Sequence, residues 1–249
     1  MKKIALVTGA SSGIGRACAH ALLAEGWHVV MVGRRADALQ EAIASAGAHG
    51  ENAWAVPTDL TQESAVKELF AAIAQRHGRL DLLFNNAGIS LPYAVPSDVS
   101  GEDWRRVVDI NLHGAFYCLS HAFGLMKSQQ PQGGRIINNG SISAHVPRPG
   151  AIAYAATKHA ISGLTKAASI DGRAFNIAVG QIDIGNVTSN MTAQMTQGVP
   201  QPDGSLKAEP CMDMSAVVET FMAMARLPLN ANVLFTTVMA TGMPFVGRG

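Results

Sequence analysis

The chain has 249 residues, 48% of them hydrophobic and 15% charged, which excludes a disordered protein and fits one large α/β domain. A net charge of +1 without a basic run argues against a nucleic-acid-binding protein. Three widely spaced cysteines and eight histidines without ligand spacing predict neither a disulfide framework nor a metal site, and a reducing cytoplasm is the expected location.

Short apolar runs alternate with helical patterns along the whole chain, and none of them is long enough for a signal peptide or a membrane span. The predicted strands are residues 3–8, 28–33, 52–57, 80–86, 133–141, 173–182 and 232–239, and the predicted helices are residues 14–25, 36–46, 62–77, 101–127, 153–168 and 215–226.

This alternation predicts an α/β fold: a Rossmann-type doubly wound parallel β-sheet of about seven strands with helices on both faces. We expect a single domain over residues 1–249, because no linker or repeat divides the chain. Residues 183–212 carry scattered polar residues and prolines, and we predict that they form a substrate-loop insertion.

The segment TGASSGIG, residues 8–15, joins the first predicted strand to the first predicted helix. Its glycines, Gly9, Gly13 and Gly15, tolerate positive φ and allow a ligand to approach the backbone closely. Because a helix N-terminus binds phosphate, the loop is a candidate dinucleotide site, although a tight turn packed for steric reasons alone would also use these glycines. A Walker loop is excluded, since no Lys follows the last glycine.

The end of the second predicted strand indicates which dinucleotide would bind. An NAD site usually has an acid there to hold the ribose hydroxyls, whereas this chain has Arg34 and Arg35. Guanidinium groups bind a 2′-phosphate, so the pair favours NADP(H) over NAD, unless both arginines are simply solvated loop residues.

Tyr154 and Lys158 lie four residues apart in a predicted helix and therefore share one face. A cation beside a phenol favours the phenolate, so the pair can exchange a proton with a carbonyl oxygen as a hydride arrives at its carbon. Most pairs at this spacing are exposed helix contacts. However, Ser141 ends a predicted strand thirteen residues earlier, and ligands bind beyond the C-terminal ends of parallel strands, which favours an active site.

In this order, TGASSGIG, NNAG, Asn111, Ser141 and YAATK resemble the single-domain short-chain dehydrogenase/reductases, and the resemblance covers nearly the whole chain. It implies that Tyr154 is the catalytic acid/base. It also implies that Lys158 binds the nicotinamide ribose and favours the phenolate, and that Ser141 binds the substrate carbonyl. Asn111 would hold a water that links Lys158 to solvent.

Further cofactor contacts follow from the same resemblance. Asp59, with Leu60 beside it, matches the residue that contacts the adenine, and Asn85, Ala87 and Gly88 match the lining of the adenosine ribose. The full set of predicted cofactor-binding residues is Gly9, Ser11, Ser12, Gly13, Ile14, Gly15, Arg34, Arg35, Asp59, Leu60, Asn85, Ala87, Gly88, Tyr154, Lys158, Gln181 and Thr188.

Three of the implied site residues also have simpler structural interpretations. Ser141 would cap a turn or a helix, Asn111 would satisfy buried backbone groups, and Asp59 would cap the helix that begins near Thr61.

The resemblance weakens after the sixth predicted strand, where the family has a Pro-Gly pair and then a Thr that contacts the nicotinamide carboxamide. We place Gly180 and Gln181 at the Pro-Gly positions, so the Gln181 amide is expected near the nicotinamide. The role of the Thr then falls to Thr188 or Thr192, of which we prefer Thr188.

The substrate pocket is expected among residues 89–95, 142–151 and 183–212. Methionines in the last of these ranges predict an adaptable apolar lining, unless they are core filler. The predicted substrate-binding residues are Tyr93, Ser143 and His145.

Together these features predict an NADP(H)-dependent oxidoreductase that acts on a small-molecule carbonyl or secondary alcohol, in one NAD(P)-binding catalytic domain that assembles into a tetramer or dimer. An NAD-dependent dehydrogenase, a catalytically silent dinucleotide-binding regulator and a dehydratase or epimerase remain alternatives. Neither the substrate nor the physiological direction follows from the sequence.

Overall fold

The computed structural model describes residues 2–188, 198–201 and 203–246. Seven parallel strands form its sheet: β1 (Ile4–Thr8), β2 (His28–Gly33), β3 (Ala53–Pro57), β4 (Leu82–Asn85), β5 (Gly134–Asn139), β6 (Ile177–Ile184) and β9 (Phe235–Val238). Two further strands, β7 (Val199–Pro200) and β8 (Leu206–Lys207), pair antiparallel outside that sheet.

The α-helices follow the strands along the chain. They are α1 (Gly13–Ala24), α2 (Ala36–Ala44), α3 (Glu63–His77), α4 (Gly101–Val108), α5 (Gly114–Ser128), α6 (Ile152–Asp171) and α7 (Met214–Arg226).

The strand order β3-β2-β1-β4-β5-β6-β9 confirms the predicted doubly wound α/β fold. Because the order reverses between β1 and β4, the loops after these two strands diverge and open a crevice at the C-terminal edge of the sheet. Ligands of such sheets bind in this crevice.

Both faces of the sheet are covered, which explains why the strands appear as continuous apolar runs in the sequence. On one face, Phe84 of β4 packs against Phe221 of α7 with ring centroids 4.4 Å apart. On the other face, Leu83 and Ile136 belong to a buried cluster with Met126 of α5. These layers hold the strands in place and so fix the starting points of the loops at the crevice.

The predicted helix over residues 101–127 is interrupted in the structure. Asp109–His113 forms a π-helical turn between α4 and α5. Such turns are frequent at functional sites, and this one contains the buried side chain of Asn111.

The sixth strand begins later and ends later than predicted, because β6 spans Ile177–Ile184 rather than residues 173–182. Gly180 and Gln181 therefore lie inside the strand, and their placement at Pro-Gly positions beyond it was wrong. The absence of a side chain at Gly180 has a steric reason, since a Cβ there would lie 2.1 Å from the Val233 carbonyl oxygen. That contact accompanies the pairing of β9 with the end of β6.

No helix within the described ranges is long and apolar enough to cross a bilayer. Likewise, the part of the chain that the structure describes contains no group of three His, Cys, Asp or Glu side chains arranged to hold a metal ion.

Thiol reactivity offers a test of the packing. Cys18 and Cys118 are buried, whereas Cys211 is partly exposed. Burial raises the pKa of the Cys118 thiol to about 12 and also raises the pKa of the Cys18 thiol. The thiolate is the reactive form of a cysteine. We therefore expect a thiol reagent at mildly alkaline pH to modify Cys211 rapidly in the folded chain, and Cys18 and Cys118 only after denaturation.

The stoichiometry and rate of labelling measure this difference. The rapid phase is expected to disappear in a Cys211→Ser variant, which serves as the control. Rapid labelling of two or three thiols in the folded wild type would contradict the packing around α1 and α5.

Candidate active site

The loop between β1 and α1 allows close approach to its backbone. Gly9 and Gly13 adopt left-handed φ values of +66° and +52°. A Cβ on Gly15 would lie 2.3 Å from the Gly9 carbonyl oxygen and 2.6 Å from Nδ2 of Asn86, so only glycine fits there.

Among the described contacts, the Ser12 side chain makes no capping hydrogen bond to α1, which leaves N–H groups of the first turn for an anion. The other predicted contacts of this segment, Ser11 and Ile14, flank the start of the same helix.

Asn86 ties three strand ends together, a role that sequence analysis missed. Its Nδ2 donates to the Thr8 carbonyl oxygen at 2.9 Å, and Thr8 Oγ1 accepts from the backbone N–H groups of Asn86 and Ala87 at 2.8 and 2.9 Å. On the opposite side, Asn86 Oδ1 accepts from Nδ2 of Asn139 at 2.7 Å. The available signal was the second Asn of NNAG, a polar residue directly beyond a buried strand.

Asn85, by contrast, points into the core. Its Nδ2 donates to the Ala115 carbonyl oxygen at 2.8 Å and to Oδ1 of Asn138 at 3.2 Å, and the residue is buried. The Asn85 amide is therefore committed to the packing of β4 against α5 and β5 rather than to the crevice. Ala87 and Gly88, the other two predicted contacts of this loop, are half-buried beyond the end of β4.

Arg34 and Arg35 directly follow β2 and precede α2, and both are exposed. Neither guanidinium forms an ion pair with a described residue. Both side chains are therefore open to an anion at the C-terminal edge of β2.

Asp59 lies beyond β3 and is exposed, while its neighbour Leu60 is buried. Oδ1 of Asp59 accepts from the backbone N–H and the hydroxyl of Thr61, at 3.0 and 2.9 Å. Asp59 thus caps a turn, not the following helix, because α3 begins at Glu63 with Gln62 at its N-cap.

Tyr154 and Lys158 do not have the geometry of an exposed pair. Lys158 is 6% exposed, and its Nζ donates to the Asn139 carbonyl oxygen at 2.6 Å. The same Nζ lies 5.5 Å from the centroid of the Tyr154 ring, which is half-buried. The buried Lys158 amino group thus lies at the end of β5, beside the ring of Tyr154.

Ser141 follows β5 after one glycine, Gly140, and is the N-cap of a 3-10 turn, Ile142–Ala144. Its Oγ accepts from the Ser143 backbone N–H at 3.1 Å, and its hydroxyl hydrogen remains available to a ligand oxygen. The capping and the ligand-binding interpretations of Ser141 therefore describe the same side chain and do not exclude each other.

Asn111 clamps the loop that follows β4. Its Oδ1 accepts from the Ile89 N–H at 2.8 Å, and its Nδ2 donates to the Ile89 carbonyl oxygen at 2.9 Å and to Thr157 Oγ1 at 3.3 Å. The side chain satisfies backbone groups, as the simpler interpretation expects, and the contact of Asn111 with a relay water stays a prediction.

The Gln181 amide is fully buried. Its Nε2 donates to Ser162 Oγ at 2.9 Å and to Asp183 Oδ1 at 2.7 Å, and its Oε1 accepts from Thr165 Oγ1 at 2.9 Å. The expected contact with a nicotinamide was wrong, because both amide hydrogens are used inside the protein. Thr188 is exposed beyond the end of β6, and Thr192 lies outside the described residues.

The predicted substrate-binding side chains lie beyond β4 and β5. Tyr93 is 55% exposed, and its ring lies against Gly150, where a Cβ would come within 2.1 Å of the ring. Ser143 is buried. The ring of His145 is partly exposed and has Nε2 2.9 Å from Oδ2 of Asp183, a carboxylate that sequence analysis did not single out.

Comparison with known proteins places these features in a family. The sequence model described as short chain dehydrogenase matches residues 3–200. A 3beta-hydroxysteroid dehydrogenase of Mediterraneibacter gnavus is 44% identical over 173 residues, which are 68% of this chain and 60% of that protein. The uncharacterized oxidoreductase YohF of Escherichia coli K12 is 34% identical over 220 residues, which are 86% of this chain and 82% of YohF.

Among solved structures, NADP-bound ElxO superposes with a TM-score of 0.83 at 28% identity over 95% of this chain and 98% of its own. A Tyr-to-Phe variant of ElxO has been solved with NADPH bound. The chain belongs to the short-chain dehydrogenase family.

Proposed function

We propose that the chain is an NADP(H)-dependent oxidoreductase that transfers a hydride between nicotinamide and a carbonyl or secondary alcohol carbon, with Tyr154 as the acid/base. The observation that carries the proposal is the buried Lys158 Nζ, 5.5 Å from the Tyr154 ring centroid, at the same sheet edge as Ser141. The dehydrogenase and oxidoreductase names of the relatives support this reaction class.

The loop between β1 and α1 and the first turn of α1, residues 9–15, form a cradle that fits a dinucleotide. The positions of Gly9 and Gly15 leave its backbone N–H groups within reach of a pyrophosphate. Arg34 and Arg35 would hold a 2′-phosphate, and Lys158 would hold the nicotinamide ribose. When bound, the nicotinamide supplies or accepts the hydride.

The chain's own residues handle the proton. In reduction, the Tyr154 hydroxyl donates its proton to the substrate oxygen, and in oxidation the phenolate takes that proton back. The Ser141 hydroxyl donates a hydrogen bond to the same oxygen and orients it. Lys158, held by the Asn139 carbonyl oxygen, stabilises the phenolate that forms on Tyr154.

A turnover screen of NADPH and NADH with varied ketones, sugars and alcohols tests the proposal by the change in nicotinamide absorbance. We expect NADPH to support reduction of at least one carbonyl compound. Tight NADPH binding without any turnover would favour a silent regulator instead. The NADPH-bound Tyr-to-Phe variant of ElxO is a precedent for separating cofactor binding from chemistry.

The two arginines after β2 make the cofactor preference testable. In an Arg34→Ala, Arg35→Ala double variant we expect KM for NADPH to rise about 10- to 100-fold, because loss of the charge-assisted hydrogen bonds to phosphate at this exposed site should cost about 1.4–2.8 kcal/mol in all. KM for NADH should change little, since NADH has no 2′-phosphate.

Arg173→Ala provides the matched control, because Arg173 is an exposed arginine that precedes β6 at the opposite edge of the sheet. A stronger preference for NADPH in the double variant, or a wild type that prefers NADH, would remove the role given to Arg34 and Arg35.

The proposal extends to a cytoplasmic location and an assembly of two or four identical chains. Trp104 of α4 and Phe116 of α5 are 39% and 46% exposed, which is consistent with a partner surface on these helices. Light scattering coupled to size exclusion measures the assembly directly.

A further inference from the structure

A buried carboxylate connects two residues of the candidate substrate site, Ser141 and His145. Asp183 of β6 is fully buried. Its Oδ1 accepts from the Ser141 backbone N–H at 2.9 Å and from Gln181 Nε2 at 2.7 Å, and its Oδ2 lies 2.9 Å from His145 Nε2. Donors from three different positions in the chain therefore converge on one side chain.

The surrounding backbone leaves space for this carboxylate. A Cβ on Gly140 would lie 1.9 Å from Asp183 Oδ1, so residue 140 must be glycine while the carboxylate occupies its position. Burial of a charged group is costly unless hydrogen bonds satisfy it, and here they do. Through Gln181, the carboxylate is also connected to Ser162 and Thr165 of α6, the helix that carries the proposed acid/base.

The carboxylate determines which hydrogen-bonding group His145 presents. An ionised carboxylate only accepts hydrogen bonds, so His145 Nε2 must carry the hydrogen and, in the neutral ring, Nδ1 is the acceptor. The His145 side chain is 46% exposed. Its Nδ1 has no hydrogen-bond partner among the residues that the structure describes.

We propose that Asp183 is a positioning residue of the substrate site. It fixes the backbone that carries Ser141 and holds His145 in the Nε2–H tautomer, so that Nδ1 accepts a hydrogen bond from a hydroxyl group of the substrate. The inference rests on the proposed function and narrows its substrate class to carbonyl compounds that carry a hydroxyl near the reacting carbon.

The tautomer of His145 can be measured without any turnover. Asp183→Asn keeps the shape of the side chain and still accepts from Ser141, but its amide nitrogen faces His145 and donates. We expect nitrogen-15 NMR shifts to give the Nε2–H tautomer in the wild type and the Nδ1–H tautomer in Asp183→Asn, with a His145→Ala spectrum to assign the signals. The Nδ1–H tautomer in the wild type, or one tautomer in both proteins, would overturn the positioning role.

Substrate selectivity tests the recognition step. We expect His145→Ala to lower kcat/KM for hydroxyketones, relative to alkanones of the same chain length, by about 10-fold. Asp183→Asn should lower this ratio less, because a hydroxyl can also accept from an Nδ1–H group. His49→Ala is the control, because His49 is an exposed histidine in the turn after α2 and should leave the ratio unchanged. An unchanged ratio in both site variants would overturn the assignment of the substrate class.

The two tests separate the inference from the function on which it rests. Absence of turnover by the wild type would contradict the proposed function, and the tautomer comparison would still decide the role of Asp183. If Asp183→Asn does not fold, His145→Ala carries the selectivity test, because it alters only a partly exposed side chain.

Discussion

Replacement of Tyr154 by Phe is expected to lower kcat by about 10²- to 10⁴-fold while NADPH still binds. The variant removes only the hydroxyl that exchanges a proton with the substrate oxygen. The ring, and the Lys158 ammonium 5.5 Å from its centroid, should remain in place. Steady-state turnover and a fluorescence titration of NADPH measure the two effects separately.

Tyr117→Phe is the matched control for Tyr154→Phe. Tyr117 belongs to α5, where its ring neighbours His113 and Phe116, and loss of its hydroxyl should leave kcat unchanged. Normal turnover by Tyr154→Phe would remove Tyr154 from the chemistry. An equal loss in both variants would point to a general effect of the substitution.

The second large effect is expected for Gly15→Ala in the cradle between β1 and α1. The new Cβ would lie 2.3 Å from the Gly9 carbonyl oxygen and 2.6 Å from Asn86 Nδ2, so the backbone must move. We expect a loss of about 1–3 kcal/mol in the free energy of unfolding. At roughly 2–4 °C per kcal/mol for a chain of this size, Tm should fall by several degrees. NADPH affinity should also fall, by more than 10-fold, because the displaced loop includes the proposed phosphate-binding groups.

Gly124→Ala separates this clash from a general effect of replacing glycine. Gly124 is exposed in α5, and a Cβ there meets no atom within 4 Å. In a helix, this change should stabilise the chain by up to about 1 kcal/mol. Thermal unfolding and NADPH titration of both variants provide the comparison. A Gly15→Ala chain with wild-type Tm and affinity would refute the tight packing of the cradle.

Local patterns were sufficient to predict the sheet and the sheet edge that Ser141, Tyr154 and Lys158 share. The alternation of buried strands with helices gave the doubly wound fold, because both faces of such a sheet must be covered. The spacing of Tyr154 and Lys158 placed both on one helix face, and the position of Ser141 at a strand end brought it to the same edge.

The errors arose where contacts distant in sequence override local pattern. Asp183 is a polar residue that disrupts the apolar strand signal, yet it lies within β6 because Ser141, His145 and Gln181 satisfy its hydrogen bonds. Gln181 was inside the predicted strand, and the error there concerned its side chain, which bonds to α6. The π-helical turn around Asn111 preserves helical composition, so periodicity alone predicts one continuous helix. The resemblance implied cofactor contact for Asn85, and it did not reveal that the amide of this residue faces the core.

Two asparagine side chains link the two ends of the crevice. Asn86 is bonded to Thr8 beside the glycine loop and accepts from Asn139, whose carbonyl oxygen holds Lys158. These hydrogen bonds connect the glycine loop to the Lys158 amino group and so favour one distance between them. Under the proposed function, only a nucleotide long enough to reach from one end to the other satisfies both at once, and a shorter one satisfies one end only.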